Sequence, residues 1–243
     1  MKISILGAIT TGALGIFLAV AEGNTTGANN DRVLLFSVPL KCEAVPQIGC
    51  GSRSKPILLE LQRQPHISEA WLNGAGTIIA VIATDGADRE TLASEVKSTL
   101  ERRGTDGTEL SGTERETALK NFSSRTDWYR GADVDQLSRR EAAVIAARLV
   151  RRVQTKVSLP ESTSRTLVVD LAQIIESRFL SDVKPSKQEV EQEALNVVRK
   201  NLDKKGVDAF REAAAKGMRP LPEDKEEATG GAPDCCSIKT RQP

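Results

Sequence analysis

The sequence predicts an α+β fold, in which a part that forms a sheet is followed by a helical part. Up to about residue 110, short apolar stretches alternate with segments rich in Gly and Pro, which is typical of strands and turns. From residue 113 onward, apolar residues recur with helical spacing. Aromatic residues make up only 3% of the 243 residues, so the core must consist mainly of aliphatic side chains.

Residues 1–21 have the features of a secretory signal. Lys2 provides the positive start, residues 3–20 are mostly apolar, and Ala19-Val20-Ala21 fits an A-x-A cleavage site. We therefore expect residues 1–21 to be a signal peptide and residues 22–32 to be a polar linker. The mature protein would be periplasmic or secreted, in an oxidising compartment. An uncleaved membrane anchor is the alternative.

The first elements surround a loop that contains two cysteines. Residues 33–40 are apolar apart from one serine and predict a buried strand. Residues 41–53 form the loop, and Ser52 or Ser54 can cap the helix that follows. Pro65 ends this helix, whose apolar face consists of Ile57, Leu58 and Leu61.

The next segments predict a hairpin and a second helix. Residues 67–72 and 77–83 are strand candidates joined by a turn rich in glycine. Asp88 can cap a helix with the apolar stripe Leu92, Val96 and Leu100. A short strand is expected near residues 108–110. The order strand, helix, strand, strand, helix, strand is the βαββαβ pattern of a ferredoxin-like domain, here predicted over residues 33–112.

The remainder of the chain predicts helices and a tail. Residues 113–218 form the helical region, and its main helix is apolar nearly all round until Arg148. Residues 219–243 are rich in Pro, Gly and charge, which predicts a disordered tail. Two capping boxes mark the expected starts of helices, Ser138-x-x-Glu141 and Ser186-x-x-Glu189.

The charge pattern limits the possible functions. Lys and Arg number 34 and Asp and Glu 33, and this balance argues against a protein that binds nucleic acid through its overall charge. The main helix carries a basic cluster, which we interpret as a solvated face, with contact to an anionic surface such as a membrane as the alternative. The cluster consists of Arg139, Arg140, Arg148, Arg151, Arg152 and Lys156.

Few residues can support catalysis. His66 is the only histidine, so a site with several histidines is impossible, and we expect His66 at a surface turn. Carboxylates are plentiful, but none forms a pair in an apolar setting that would indicate acid–base catalysis. We therefore expect a protein that is not an enzyme.

The four cysteines occur as two pairs, and they are the candidate metal ligands. Thiolates are soft ligands that favour ions such as Cu(I) or Hg(II), and two thiolates suit an ion of low coordination number. Cys50 precedes a helix N-terminus next to Arg53, which favours its thiolate form. A disulfide between Cys42 and Cys50 is an almost equal alternative. The adjacent Cys235 and Cys236 can capture soft metals or have no specific role.

The cysteine loop also supports a family resemblance. Cys50-Gly51-Ser52-Arg53 stands ahead of a helix and a hairpin rich in Ile and Val. This arrangement resembles a heavy-metal-associated domain, as in periplasmic mercury-binding proteins and copper chaperones, over residues 33–112. The family has C-x-x-C in this loop. Only Cys50 matches it, because Gln47 or Arg53 occupies the other position, and Cys42 is the candidate replacement. The resemblance implies binding or transfer of a soft metal.

The sequence thus favours an exported module that binds a soft metal through Cys50 and Cys42. The first alternative is a structural or partner-binding protein, with a Cys42–Cys50 disulfide and an interface on the helical region. A thiol–disulfide exchange protein is the weaker alternative, because the chain lacks C-x-x-C.

Overall fold

The structure is a computed structural model, and it describes residues 31–181, 183 and 185–224. The predicted signal peptide, most of the predicted linker and the tail cysteines Cys235 and Cys236 lie outside the described residues. None of the described helices is long and apolar enough to cross a membrane.

The described residues form a mixed α+β structure. Its strands are β1 (Val33–Ser37), β2 (Ile67–Asn73), β3 (Ile78–Ala83), β4 (Thr108–Glu109) and β5 (Trp128–Arg130). Its helices are α1 (Gly51–Leu61), α2 (Arg89–Arg102), α3 (Gly112–Ser123), α4 (Asp135–Gln154), α5 (Glu161–Leu180), α6 (Lys187–Asn201) and α7 (Lys204–Ala215). A short 3₁₀ helix, Gly131–Val134, leads into α4.

The strands form one antiparallel sheet in the order β4-β1-β3-β2-β5. The β1 strand is buried on both faces, which explains why its sequence is apolar without alternation. Leu34 and Phe36 pack in the core beneath α1 and α2. Val33 and Leu35 pack on the opposite face, against Phe122 of α3.

The prediction of a ferredoxin-like βαββαβ domain followed by a helical region is wrong. Trp128–Arg130 lies in the region predicted to be helical, yet it adds a fifth strand beside β2. The predicted fourth strand is reduced to two residues. Trp128 packs on Phe122 with ring centroids 4.8 Å apart, and its backbone pairs with the edge of β2. A strand of three residues is too short for alternation to reveal it in the sequence.

The helical layer has a core of its own, and the cysteine loop contributes to it. Helix α4 packs mainly against α5 and α7. The core side chains of this layer include Ala142, Ile145, Leu149, Leu171, Val198 and Phe210. Cys42, Val45 and Ile48 belong to the same cluster. The loop therefore lies where the sheet and the helical layer meet.

Two predicted helix starts are wrong, and both lie where α1 packs closely on α4. Helix α1 has Cys50 at its N-cap, and α4 begins at Asp135, so Ser138 is inside a helix and buried. A Cβ at Gly51 would lie 2.3 Å from the Ser138 hydroxyl oxygen, so the two helices are nearly in contact there. The second predicted capping box, at Ser186, is confirmed.

Candidate functional site

Both cysteines of the described chain line one groove, which we call the thiol groove. Its volume is about 550 Å³. Its walls are the cysteine loop, the N-terminus of α1, Glu141 of α4 and the segment that follows α7. The lining residues are Lys41, Cys42, Glu43, Ala44, Cys50, Ser52, Arg53, Glu141, Lys216, Gly217, Met218 and Arg219.

The cysteine loop folds back as a short ribbon, residues 40–50, which we call the cysteine ribbon. Lys41 and Gly49 form an antiparallel bridge. The Cys42 N–H donates to Ile48 O at 2.9 Å, and the Cys50 N–H donates to Leu40 O at 2.8 Å. Cys42 is therefore opposite Ile48, and Cys50 is opposite Leu40. Because side chains alternate along a strand, both cysteines point to the same face of the ribbon.

The two cysteines are diagonal neighbours on this ribbon, and this spacing bears on the disulfide. Diagonal positions of an antiparallel pair have Cα atoms about 7 to 8 Å apart. Relaxed disulfides need a Cα separation of roughly 4.4 to 6.8 Å. Cys42 and Cys50 are both free thiols in the described part of the chain. At such a diagonal spacing, a disulfide would require the ribbon backbone to move.

The two thiols have different surroundings. Cys42 is only 3% exposed, and its Sγ accepts a hydrogen bond from the Val45 N–H at 3.3 Å. Burial, followed by the hydrogen bond and the charge of Glu141, raises the pKa of the Cys42 thiol to about 12. Cys50 is half-buried, and its Sγ lies 3.5 Å from the Ser52 Oγ. Cys50 is therefore the thiol that reagents reach first.

Glu141 is a groove residue that the sequence reasoning assigned to a capping box. It is 6% exposed, and burial raises the pKa of its carboxyl group, although the hydrogen bond with Cys42 lowers this pKa in part. Its Oε2 atom has no hydrogen-bond partner among the described residues. The sequence does contain a signal for the burial of Glu141. It precedes the buried Ile145 by one helical turn, so the two residues lie on the same face of α4.

The opposite wall of the groove begins in residues 217–224, which we call the strap. Arg148 donates through one nitrogen to Ala44 O at 2.8 Å and also to Met218 O. Arg152 donates to Gly217 O, and to Arg219 O at 2.8 Å. Two buried guanidinium groups therefore bind three consecutive carbonyl groups of the strap.

An ion pair secures the far end of the strap. Arg152 binds both carboxylate oxygens of Asp224, at 2.9 and 2.6 Å, and both side chains are 5% exposed. The hydrogen bonds from Arg152 lower the pKa of Asp224 to about 2. Asp224 belongs to the segment predicted to be a disordered tail, of which only residues 219–224 are described.

The interpretation of the basic cluster as a solvated face is wrong for two of its members. Arg148 is 1% exposed and Arg152 is 6% exposed. Arg151, between them in sequence, is exposed. The spacing of Arg148 and Arg152 from Ile145 continues the buried face of α4, and this signal was available in the sequence.

The other candidate residue lies elsewhere. His66 follows the far end of α1, with its Nδ1 2.6 Å from Glu95 Oε1 and its side chain 40% exposed. It does not line the thiol groove. Within the described ranges, no three side chains of the types His, Cys, Asp and Glu are grouped so that they could hold a metal ion. Among these side-chain types, the candidate metal ligands of the described residues are therefore two thiols, those of Cys42 and Cys50.

Comparison of the chain with protein-family models, curated proteins and solved structures finds no match. The resemblance to a heavy-metal-associated domain therefore stays a prediction from the sequence.

Proposed function

We propose that this protein binds one soft metal ion, such as Cu(I) or Hg(II), between the thiolates of Cys42 and Cys50. The observation that carries the proposal is the placement of two free thiols on one face of the cysteine ribbon, facing one groove. The role is binding or handling of the ion and not catalysis. The signal-like residues 1–21 support a periplasmic or secreted location.

The spacing of the cysteines favours an ion over a disulfide. A thiolate sulfur lies about 2.3 Å from a bound metal such as Zn(II), so a linear S–metal–S unit of similar bond length spans about 4.6 Å. A disulfide joins the sulfurs at only about 2.05 Å. Diagonal cysteines suit the longer bridge, and a pair of thiolates suits an ion of low coordination number.

Cationic side chains around the groove offset the charge of a thiolate complex, whereas the buried carboxyl group of Glu141 opposes it. Two thiolates that bind Cu(I) leave a net charge of −1. Lys41 is adjacent to Cys42 in sequence, and Arg53 follows Cys50 in the first turn of α1; both line the groove. Their positive charges offset that of the complex, as does the positive end of the α1 dipole.

Metal titration of matched variants tests the proposal. The starting protein is the mature chain with Cys235→Ser and Cys236→Ser, so that the tail thiols cannot bind metal. We expect one equivalent of Cu(I) or Hg(II) to bind tightly to this protein. Further substitution of Cys42→Ser or Cys50→Ser should abolish tight binding, because each leaves one thiolate. Arg151→Met, a change at an exposed residue that does not line the groove, should bind normally.

Two results would reject the proposal. One is metal binding that is as tight in the Cys50→Ser variant as in the starting protein. The other is a thiol titration showing that Cys42 and Cys50 are oxidised and resist reductant in the native protein. That second result would favour the structural alternative with a disulfide.

A further inference from the structure

A third residue with a soft donor atom, Met218, lines the thiol groove together with Cys42 and Cys50. It also packs against the apolar cluster of the helical layer, to which both cysteines contribute. Met1 is the only other methionine of the chain. A thioether is a soft ligand, like a thiolate, so three residues with soft donor atoms line one groove.

Buried side chains fix the position of Met218 relative to Cys42. The guanidinium group of Arg148 donates both to Met218 O and to Ala44 O, two residues beyond Cys42. Arg152 holds the carbonyl groups of Gly217 and Arg219, on either side of Met218. The strap is therefore tied to the cysteine ribbon at the point where Met218 lies. These hydrogen bonds hold the backbone of Met218 beside the groove, which limits the positions that its thioether can reach.

Glu141 places an unpartnered polar atom in the same groove, which is an independent indication that the groove takes a polar or charged ligand. Its side chain is 6% exposed and lines the groove, and its Oε2 has no partner among the described residues. A buried carboxylate oxygen without a partner is costly.

We propose that Met218 is the third ligand of the site and makes it selective for Cu(I). This inference rests on the proposed function and names its ion. Thiolate and thioether ligands together select Cu(I), which accepts three sulfur ligands. Hg(II) is satisfied by two thiolates in a line, so the thioether adds little to its binding.

Comparison of Cu(I) and Hg(II) in a Met218→Leu variant tests this ligand. Both proteins carry Cys235→Ser and Cys236→Ser, and Leu preserves the volume of the side chain. We expect the Cu(I) affinity to fall at least about tenfold, as it should when a metal–ligand bond is lost. The Hg(II) affinity should change less than about threefold. X-ray absorption should show three sulfur neighbours of Cu(I) before the substitution and two after it.

A Met218→His variant separates ligation from packing, because imidazole also binds copper. We expect it to recover part of the Cu(I) affinity that Met218→Leu loses. The inference is overturned if Met218→Leu leaves Cu(I) affinity unchanged, or if Hg(II) affinity falls equally. It is also overturned if Met218→His binds Cu(I) no better than Met218→Leu. Failure of the proposed function looks different, since then Cys50→Ser would leave the affinity for both ions intact.

Discussion

The two walls of the thiol groove are held in place by different forces. The cysteine ribbon is held by backbone hydrogen bonds and by close packing, since a Cβ at Gly49 would lie 2.9 Å from Gly76 Cα. The strap is held by side chains, namely the guanidinium groups of Arg148 and Arg152 and the carboxylate of Asp224. Steric packing therefore keeps the ribbon in place, whereas buried charged side chains keep the strap in place.

The two walls should therefore respond to different perturbations. A change of volume should displace the ribbon, whereas a change of charge or of pH should release the strap. The thiols are on the ribbon and Met218 is on the strap. Damage to the strap should therefore leave two sulfurs in place, and damage to the ribbon should separate the thiols from each other.

Replacement of the buried Arg152 should lower the stability of the protein most. Arg152→Met leaves Asp224 buried without its partner, and breaking such a pair costs about 3 to 5 kcal/mol. We expect the free energy of unfolding, measured by urea denaturation, to fall by about 4 kcal/mol. Arg151→Met is the matched control, since Arg151 is exposed, and should change it by less than about 0.5 kcal/mol. Equal effects of the two substitutions would contradict the role of Arg152.

Addition of a methyl group at Gly49 of the ribbon should cause the next largest loss of stability. In Gly49→Ala the new Cβ meets Gly76 Cα at 2.9 Å and Gly76 N at 3.0 Å, and backbone atoms cannot move aside easily. Overpacking of this kind costs typically about 1 to 3 kcal/mol, and we expect a value near the top of that range. Urea denaturation measures it, with Ser52→Ala as a control in the same groove. A neutral Gly49→Ala would show that the ribbon can leave the β2–β3 turn without cost.

Acid should release the strap. Arg152 lowers the pKa of Asp224 to about 2, from an ordinary value of 3.8, so the folded state holds this proton less tightly than the unfolded state. The resulting stability is present above about pH 4 and is lost as the pH falls towards 2; it amounts to about 2 kcal/mol. Stability measured from pH 5 to pH 2 should decline more steeply in the native protein than in Asp224→Asn. Parallel pH profiles of the two proteins would contradict this assignment.

Thiol labelling should distinguish the two cysteines without changing the fold. Cys42 is 3% exposed and its thiol has a pKa of about 12, so little thiolate forms at pH 8. With both tail cysteines replaced by Ser, iodoacetamide at pH 8 should modify Cys50 much faster than Cys42. Peptide mass spectrometry gives the modified position, and denaturant should equalise the rates. Fast labelling of Cys42 in the native state would show that it is not buried beside Glu141.

Much of the architecture could be predicted from local pattern. The β1 strand, the β2–β3 hairpin and the stripe of Leu92, Val96 and Leu100 occur as expected. Their signals are apolar runs and periodicity, which short-range physics determines. The strand Trp128–Arg130 could not be predicted, because it exists only through pairing with the edge of β2.

The candidate site could likewise be predicted only in part from the sequence. The sequence identified Cys42 and Cys50 by residue type, and the structure brings both to one groove. It did not identify Glu141 or Arg148, because a charged residue in a helix is ordinarily solvated, although both lie at helical spacing from the buried Ile145. Their burial depends on partners more than 90 positions away in sequence, such as Cys42 for Glu141 and Ala44 for Arg148.

The central claim is that Cys42 and Cys50 share one soft ion. X-ray absorption of the mature protein with Cys235→Ser and Cys236→Ser, loaded with one equivalent of Hg(II), tests it most directly. The proposal predicts two sulfur neighbours at about 2.3 Å, the usual length of a metal–thiolate bond, in a monomeric protein. A single sulfur neighbour, with lighter atoms completing the coordination, would contradict the proposal.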